Sequence, residues 1–187
     1  MNRPLLIIVS GPPASGKTTL ARQFAQELQL PLLYKDGIKE TLFDSLGWHD
    51  REWSKKLGRA TYGLLYYFLE AQLAAGQALI VESNFSPEAT AKFLELQEKY
   101  PFRPFQILCR AEGSVLVARY AVRANDPDRH PGHVDLETLE ELKPGLLKGR
   151  LESLDIGGEV VEVDTTDFSK INVAGLCFRL KKVLQES

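Results

Sequence analysis

One run in this sequence combines residue types and spacing that specify a chemistry. Gly11, Pro12, Pro13, Ala14, Ser15, Gly16, Lys17 and Thr18 satisfy the pattern G-x-x-x-x-G-K-[ST] in full. Glycines in such a run let successive backbone N–H groups converge on phosphate oxygens, and a helix opening behind them adds its positive end. Lys17 is suited to neutralise β- and γ-phosphates and the Thr18 hydroxyl to ligate Mg²⁺, with Thr19 completing the nucleotide-binding set. The run predicts binding of a nucleoside triphosphate, with ATP and Mg²⁺ as cofactors. It specifies binding and leaves the reaction open.

Further polar groups stand where a reaction would need them. Asp36 follows the apolar run Leu32-Leu33-Tyr34. A carboxylate there could orient an acceptor hydroxyl and receive its proton during phosphoryl transfer. Aspartate is also a favoured helix cap, so Asp36 could equally cap a helix beginning at Gly37. Arg119 and Arg123 have the spacing that puts two guanidinium groups on one helix face, just before a polar loop from Asn125 to His133. Two arginines on a solvated face making weak ion pairs are the alternative. His130, His133 and Asp135 invite a metal site, but Pro131-Gly132 precludes a regular helix there and further ligands are not evident. Tyr62, Tyr66, Tyr67 and Phe68, with Trp48 and Trp53, read as core or as the cover of an acceptor pocket.

The elements that must position these groups alternate in type. Leu5 to Val9 is a β-branched and leucine run, the pattern of a strand buried on both faces, and Lys17 to Leu30 follows as a helix. Leu32 to Tyr34 is a second strand. Helices are expected over 36–46 and 52–75, a strand over 78–81, a helix over 86–100 and a strand over 105–109. Helices over 114–123 and 136–147 follow, the latter interrupted by Pro144 and Gly145. A strand over 160–163 and a helix over 171–184 close the chain. Strands alternating with helices imply parallel βαβ units and an α/β class. We expect a three-layer α/β/α P-loop NTPase fold on a five-stranded parallel sheet, in a single domain over 1–187.

With these motifs in place, the chain resembles the small P-loop kinases, in particular the group of zeta toxins, polynucleotide kinases and chloramphenicol phosphotransferase. The resemblance implies a nucleoside-monophosphate-kinase-like arrangement with a lid, here about 124–135. It implies Asp36 as the acceptor of the hydroxyl proton, and it sets Lys39 where polynucleotide kinases carry an arginine toward the substrate. Glu82 and Asn84, after the third strand, would hold the metal's water shell or the acceptor. Arg119 would stack on the base, Arg123 and Arg129 would reach the phosphates, and Thr165 would lie where the chain passes under adenine.

Composition narrows the partners. A formal charge of −2 and a pI near 6.0 show no polybasic signature, which makes nucleic acid the lesser expectation. No run approaches the roughly 20 apolar residues of a membrane span. Cys109 and Cys177 read as buried small hydrophobes, and the chain as cytoplasmic. The leading expectation is an ATP-dependent phosphotransferase acting on a hydroxyl of a small molecule. A polynucleotide 5′-hydroxyl kinase is the alternative favoured by the Asp36–Lys39 spacing. A nucleotide-binding regulatory module with little transfer activity is the third.

Overall fold

A computed structural model describes residues 3–185. Five parallel strands form one sheet in the order β2-β3-β1-β4-β5: β1 (Leu5–Ser10), β2 (Leu32–Tyr34), β3 (Leu79–Glu82), β4 (Arg103–Arg110) and β5 (Glu159–Asp164). The helices are α1 (Lys17–Leu28), α2 (Lys35–Leu46), α3 (Arg51–Ala74), α4 (Thr90–Lys99), α5 (Gly113–Ala124), α6 (Asp135–Leu147) and α7 (Val173–Gln185). This is the expected three-layer α/β/α fold.

The layers follow from the two-residue alternation of side chains along a strand. Leu5, Ile7 and Val9 point to one face of β1, where they pack with Leu20, Phe24, Cys177 and Leu180 of α1 and α7. Leu6 and Ile8 point to the other, against Leu65, Leu69 and Leu73 of α3 and Phe93 and Leu96 of α4. Every residue of β1 is buried, so a continuous apolar run is what this central position requires. A smaller cluster of Ala111, Leu116, Tyr120 and Leu146 joins α5 to α6.

Several local expectations change in the folded chain. Helix α6 runs through Pro144 without a break, because Pro144 and the Glu140 carbonyl it frees are on the exposed side, where water can satisfy the oxygen. Helix α2 begins at Lys35, so Asp36 lies inside its first turn and makes no cap hydrogen bond. The capping reading of Asp36 is thereby corrected. The 86–100 segment divides into a helical turn, Pro87–Ala89, and α4. Among the described residues no helix is long and apolar enough to cross a membrane.

Parallel pairing aligns the carboxyl ends of the strands. Val9 pairs with Glu82, Tyr34 with Glu82 and Arg110 with Asp164, so the segments after all five strands meet at one edge of the sheet. In open α/β sheets that edge is where ligands bind.

Candidate active site

The phosphate loop links β1 to α1. Gly16 adopts φ 75°, and a Cβ there would lie 2.2 Å from the Phe168 ring, so both the conformation and the close approach demand glycine. Gly11 is held by proximity: a Cβ would sit 2.5 Å from the Cys109 carbonyl oxygen. Ser15 N–H donates to the Pro12 carbonyl at 3.2 Å, and the Lys17 ammonium donates to the same oxygen at 3.4 Å. Helix α1 has no side-chain cap and no acid in its first turn. Its leading N–H groups therefore present unopposed positive potential. The Ser15 hydroxyl is buried without a hydrogen-bond partner among the described residues.

Glu82, at the end of β3, faces this loop. It accepts a hydrogen bond from the Thr18 hydroxyl at 2.8 Å and has Lys17 Nζ at 3.9 Å. Burial pushes its carboxyl above the ordinary range, against the pull of Lys17 and the Thr18 hydroxyl. A second cation beside it would stabilise the charged form. Two hard oxygen donors, Thr18 and Glu82, with the orphaned Ser15 hydroxyl in the same loop, fit the preferences of Mg²⁺. Glu82 lines neither cavity described below; its contacts are with Thr18 and Lys17 of the phosphate loop.

Two cavities adjoin the loop. The first, about 330 Å³, runs along Gly16, Thr18 and Thr19 toward Arg22 and Arg119. The second, about 170 Å³, lies between Pro13, Lys35, Lys39, Arg51 and Asn84. Four side chains line both: Lys17, Asp36, Arg123 and Arg129.

Asp36 is the one carboxylate at that junction. It accepts a hydrogen bond from Arg129 Nη1 at 3.1 Å. Burial alone would raise its carboxyl, but the charges of His133, Arg129, Lys35 and Lys17 outweigh burial and hold it well below the usual carboxylate range. Asp36 is therefore ionised, and while Arg129 holds it, it is a weak base that gains basicity only as that contact is released. Arg129 also donates from Nε to Asp135 at 2.9 Å and from Nη1 to Glu40 at 3.4 Å. Arg123 pairs with Asp135 at 3.4 Å and lies over the Tyr120 ring, yet its buried Nε has no hydrogen-bond partner among the described residues. An unpaired buried donor is costly unless a ligand completes it.

The segment between α5 and α6 is closed over the site. Its Arg129 reaches Asp36, and His133 hydrogen-bonds Glu40 at 2.8 Å. His130 contacts Asp44 at 3.2 Å and stacks on Phe43. Both histidines are thus engaged with α2. Among the described residues no cluster of three or more His, Cys, Asp or Glu could hold a metal.

Arg119 donates to the carbonyls of Thr165 and Thr166 at 2.8 and 3.0 Å, which ties α5 to the turn after β5. Thr165 is fully buried and donates to the Arg110 carbonyl at 3.0 Å, so its side chain supports that turn. Lys39 is buried and donates to Ser54 Oγ at 2.8 Å. Asn84 borders the second cavity, beside the hydroxyl of Tyr62. Of the aromatic groups, Tyr62 and Tyr66 pack on the core, while Trp48, Tyr67 and Phe68 are exposed. Lys35 was not singled out in the sequence. A lysine at a strand end reads as a solvated charge, and its proximity to Asp36 was the one available signal.

A five-stranded parallel sheet with a phosphate loop after its central strand and an acid at the end of the next strand defines the P-loop kinase fold. The chain belongs to the AAA domain family, whose profile matches residues 6–146. A crystal structure from Chloroflexus aurantiacus, provisionally described as a kinase, is similar with a TM-score of 0.87 and 41% identity, covering 97% of this chain and 98% of that one. More distant structures share the fold. A sugar kinase from a Janibacter species has a TM-score of 0.55 at 15% identity, with 96% and 92% covered. Shikimate kinase from Acinetobacter baumannii, bound to shikimate, has a TM-score of 0.51 at 14% identity, with 99% and 94% covered. No curated protein matches the sequence.

Proposed function

We propose that the chain is an ATP-dependent kinase that moves the γ-phosphoryl group of Mg·ATP to a hydroxyl of a small molecule. One observation carries this reading: the cavity along the phosphate loop and the smaller cavity beside it share three cations and a single ionised carboxylate. That is the inventory phosphoryl transfer needs where donor and acceptor meet, because the reaction is mostly positioning and charge stabilisation.

In this reading Gly11–Thr19 cradles the nucleotide phosphates, with Lys17 between the β- and γ-groups. Thr18, backed by Glu82, would hold Mg²⁺, which would supply further neutralisation of phosphate charge. The acceptor oxygen attacks the γ-phosphorus and the bond to the β-bridging oxygen breaks. ADP leaves, and Asp36 takes the hydroxyl proton. Arg123 brings an unpaired donor to the charge that develops. Arg129 holds residues 125–134 shut as a lid, and opening that lid would exchange its Asp36 contact for phosphate. Arg119 supports the turn at Thr165 that borders the base. The kinase relatives with the same fold support the class of reaction.

The test is γ-phosphate transfer from Mg·ATP to a panel of hydroxyl compounds and 5′-hydroxyl oligonucleotides, comparing wild type with Asp36→Ala. Transfer to a small compound that is lost in the variant supports the proposal. Transfer confined to oligonucleotides would shift it to a polynucleotide kinase. Equal ATP consumption by both proteins, with no product, would favour a regulatory nucleotide-binding module.

A further inference from the structure

The second cavity is strongly cationic, and its cations are not equally neutralised. Lys17 has Glu82 at 3.9 Å, Arg51 has Glu141 at 2.9 Å, Arg123 has Asp135 at 3.4 Å, and Arg129 has Asp36 and Asp135. Lys35 and Lys39 differ. The Lys39 ammonium meets the Ser54 hydroxyl at 2.8 Å and the face of Phe43 at 5.1 Å. The Lys35 ammonium lies 5.5 Å from the centre of the Tyr62 ring. Neither has a carboxylate within ion-pair distance among the described residues. Both line the cavity, one helical turn apart on α2.

Lys39 is buried and Lys35 half-buried, and burial weighs against their charge by more than the attraction of Asp36 restores, where an apolar side chain of similar size would carry no such cost. Burial accordingly pushes the Lys39 ammonium down to about 8, and Lys35 is also lowered. A purely structural pair of lysines has no reason to carry that cost on a cavity wall. An anion arriving with the ligand removes it.

We infer that the acceptor carries an anionic group, a carboxylate or a phosphate, held between Lys35 and Lys39 while its hydroxyl lies at Asp36. The inference rests on the proposed kinase reading for the identity of the ligand as acceptor. Asp36 and Lys39 are three residues apart on α2, roughly 4.5 Å along the helix axis. This spacing suits a hydroxyl and an anion separated by a few bonds, as in small hydroxy acids and phosphate esters of polyols. The cavity, about 170 Å³, suits a compound of that size.

The experiment separates anion binding from phosphoryl transfer. Calorimetry measures binding to the Mg·AMP-PNP complex, whose nucleotide fills the phosphate loop. The probes are three- to six-carbon aldonates, the corresponding sugar and glycerol phosphates, and neutral polyols of the same skeletons. At least one anion series should bind at least about tenfold more tightly than its polyol. Lys35→Met and Lys39→Met should remove that preference, and Lys→Arg at each position should retain it. Unchanged AMP-PNP affinity and thermal melting establish that the variants are folded. Carboxylates and phosphates are separate arms, so the preferred series names the anion. Equal binding of anions and polyols, absence of anion binding across the panel, or methionine variants that keep the preference would each overturn the inference. If an anion binds through the lysines yet never receives phosphate, the lysine site stands and the kinase reading fails. If neutral polyols are phosphorylated as well as their acids, the kinase reading stands and the anion site fails.

Discussion

In the proposed reaction Asp36 and Arg123 divide the work at the junction of the two cavities, and their variants should differ in kind. Asp36→Ala removes the proton acceptor and is expected to lower kcat by about 10²–10⁴-fold while Mg·ATP still binds. Arg123→Ala removes a donor whose buried Nε has no hydrogen-bond partner among the described residues. It should lower kcat by about 10²–10³-fold with only a small change in nucleotide affinity. Parallel losses of affinity and turnover, measured by titration and steady-state kinetics, would place Arg123 on the ground-state phosphates instead. Lys39 carries the pH prediction. It is faced by Lys35 and Asp36 on its own helix, by Arg51 and Ser54 from α3, and by Arg129 from the lid. Burial holds it down to about 8, so its charge is present below that pH and lost above it. For an anionic acceptor, kcat/KM should fall as pH rises through about 8. Lys39→Arg, which stays charged, should move that alkaline limb upward. Asp36, held well below the usual carboxylate range, adds no acid limb near neutrality.

At the scale of elements, the segment between α5 and α6 is the proposed lid. It docks on α2 through Arg129, His130 and His133, and Val134 adopts φ 50°, a left-handed conformation costly for a β-branched residue. Gly132 makes the docking possible, because a Cβ there would lie 2.7 Å from the Phe43 ring. Gly132→Ala should therefore push the segment off α2, at a cost of about 1–3 kcal/mol. Limited proteolysis should then cut within 125–134 faster than in wild type, and the acceptor KM should rise. An unchanged cleavage rate would show that the closed contact is not what holds this segment.

At the scale of the molecule, the sheet and its two helical layers carry stability, while the proposed ligand site lies at the carboxyl edge. Leu69 is buried between α3 and the sheet, far along the chain from the phosphate loop. Leu69→Ala should cost about 2–5 kcal/mol in unfolding free energy. It should leave Mg·ATP affinity close to wild type. Saturating Mg·ATP, at a hundred times its Kd, should in turn raise stability by about 2.7 kcal/mol, and Lys17→Ala should remove that gain. Thermal unfolding with and without Mg·ATP tests both statements.

The phosphate loop and the α/β class were legible along the chain because each is local. The loop needs eight contiguous residues, and strands and helices announce themselves by the period of their apolar positions. Asp36, Arg119, Arg123 and Arg129 could be singled out because each lies next to a strand end or a polar loop. Their pairings could not. Thr18 meets Glu82 across 64 residues, and Arg129 meets Asp36 across 93. The role of Lys35 depends on a cavity wall built from α2, α3 and the lid, which no local pattern encodes. Sequence periodicity sets which face of each element is apolar and so fixes the layers. The tertiary structure alone decided which charges are neutralised and which are left facing a cavity, because that depends on groups that only folding brings within a few ångströms.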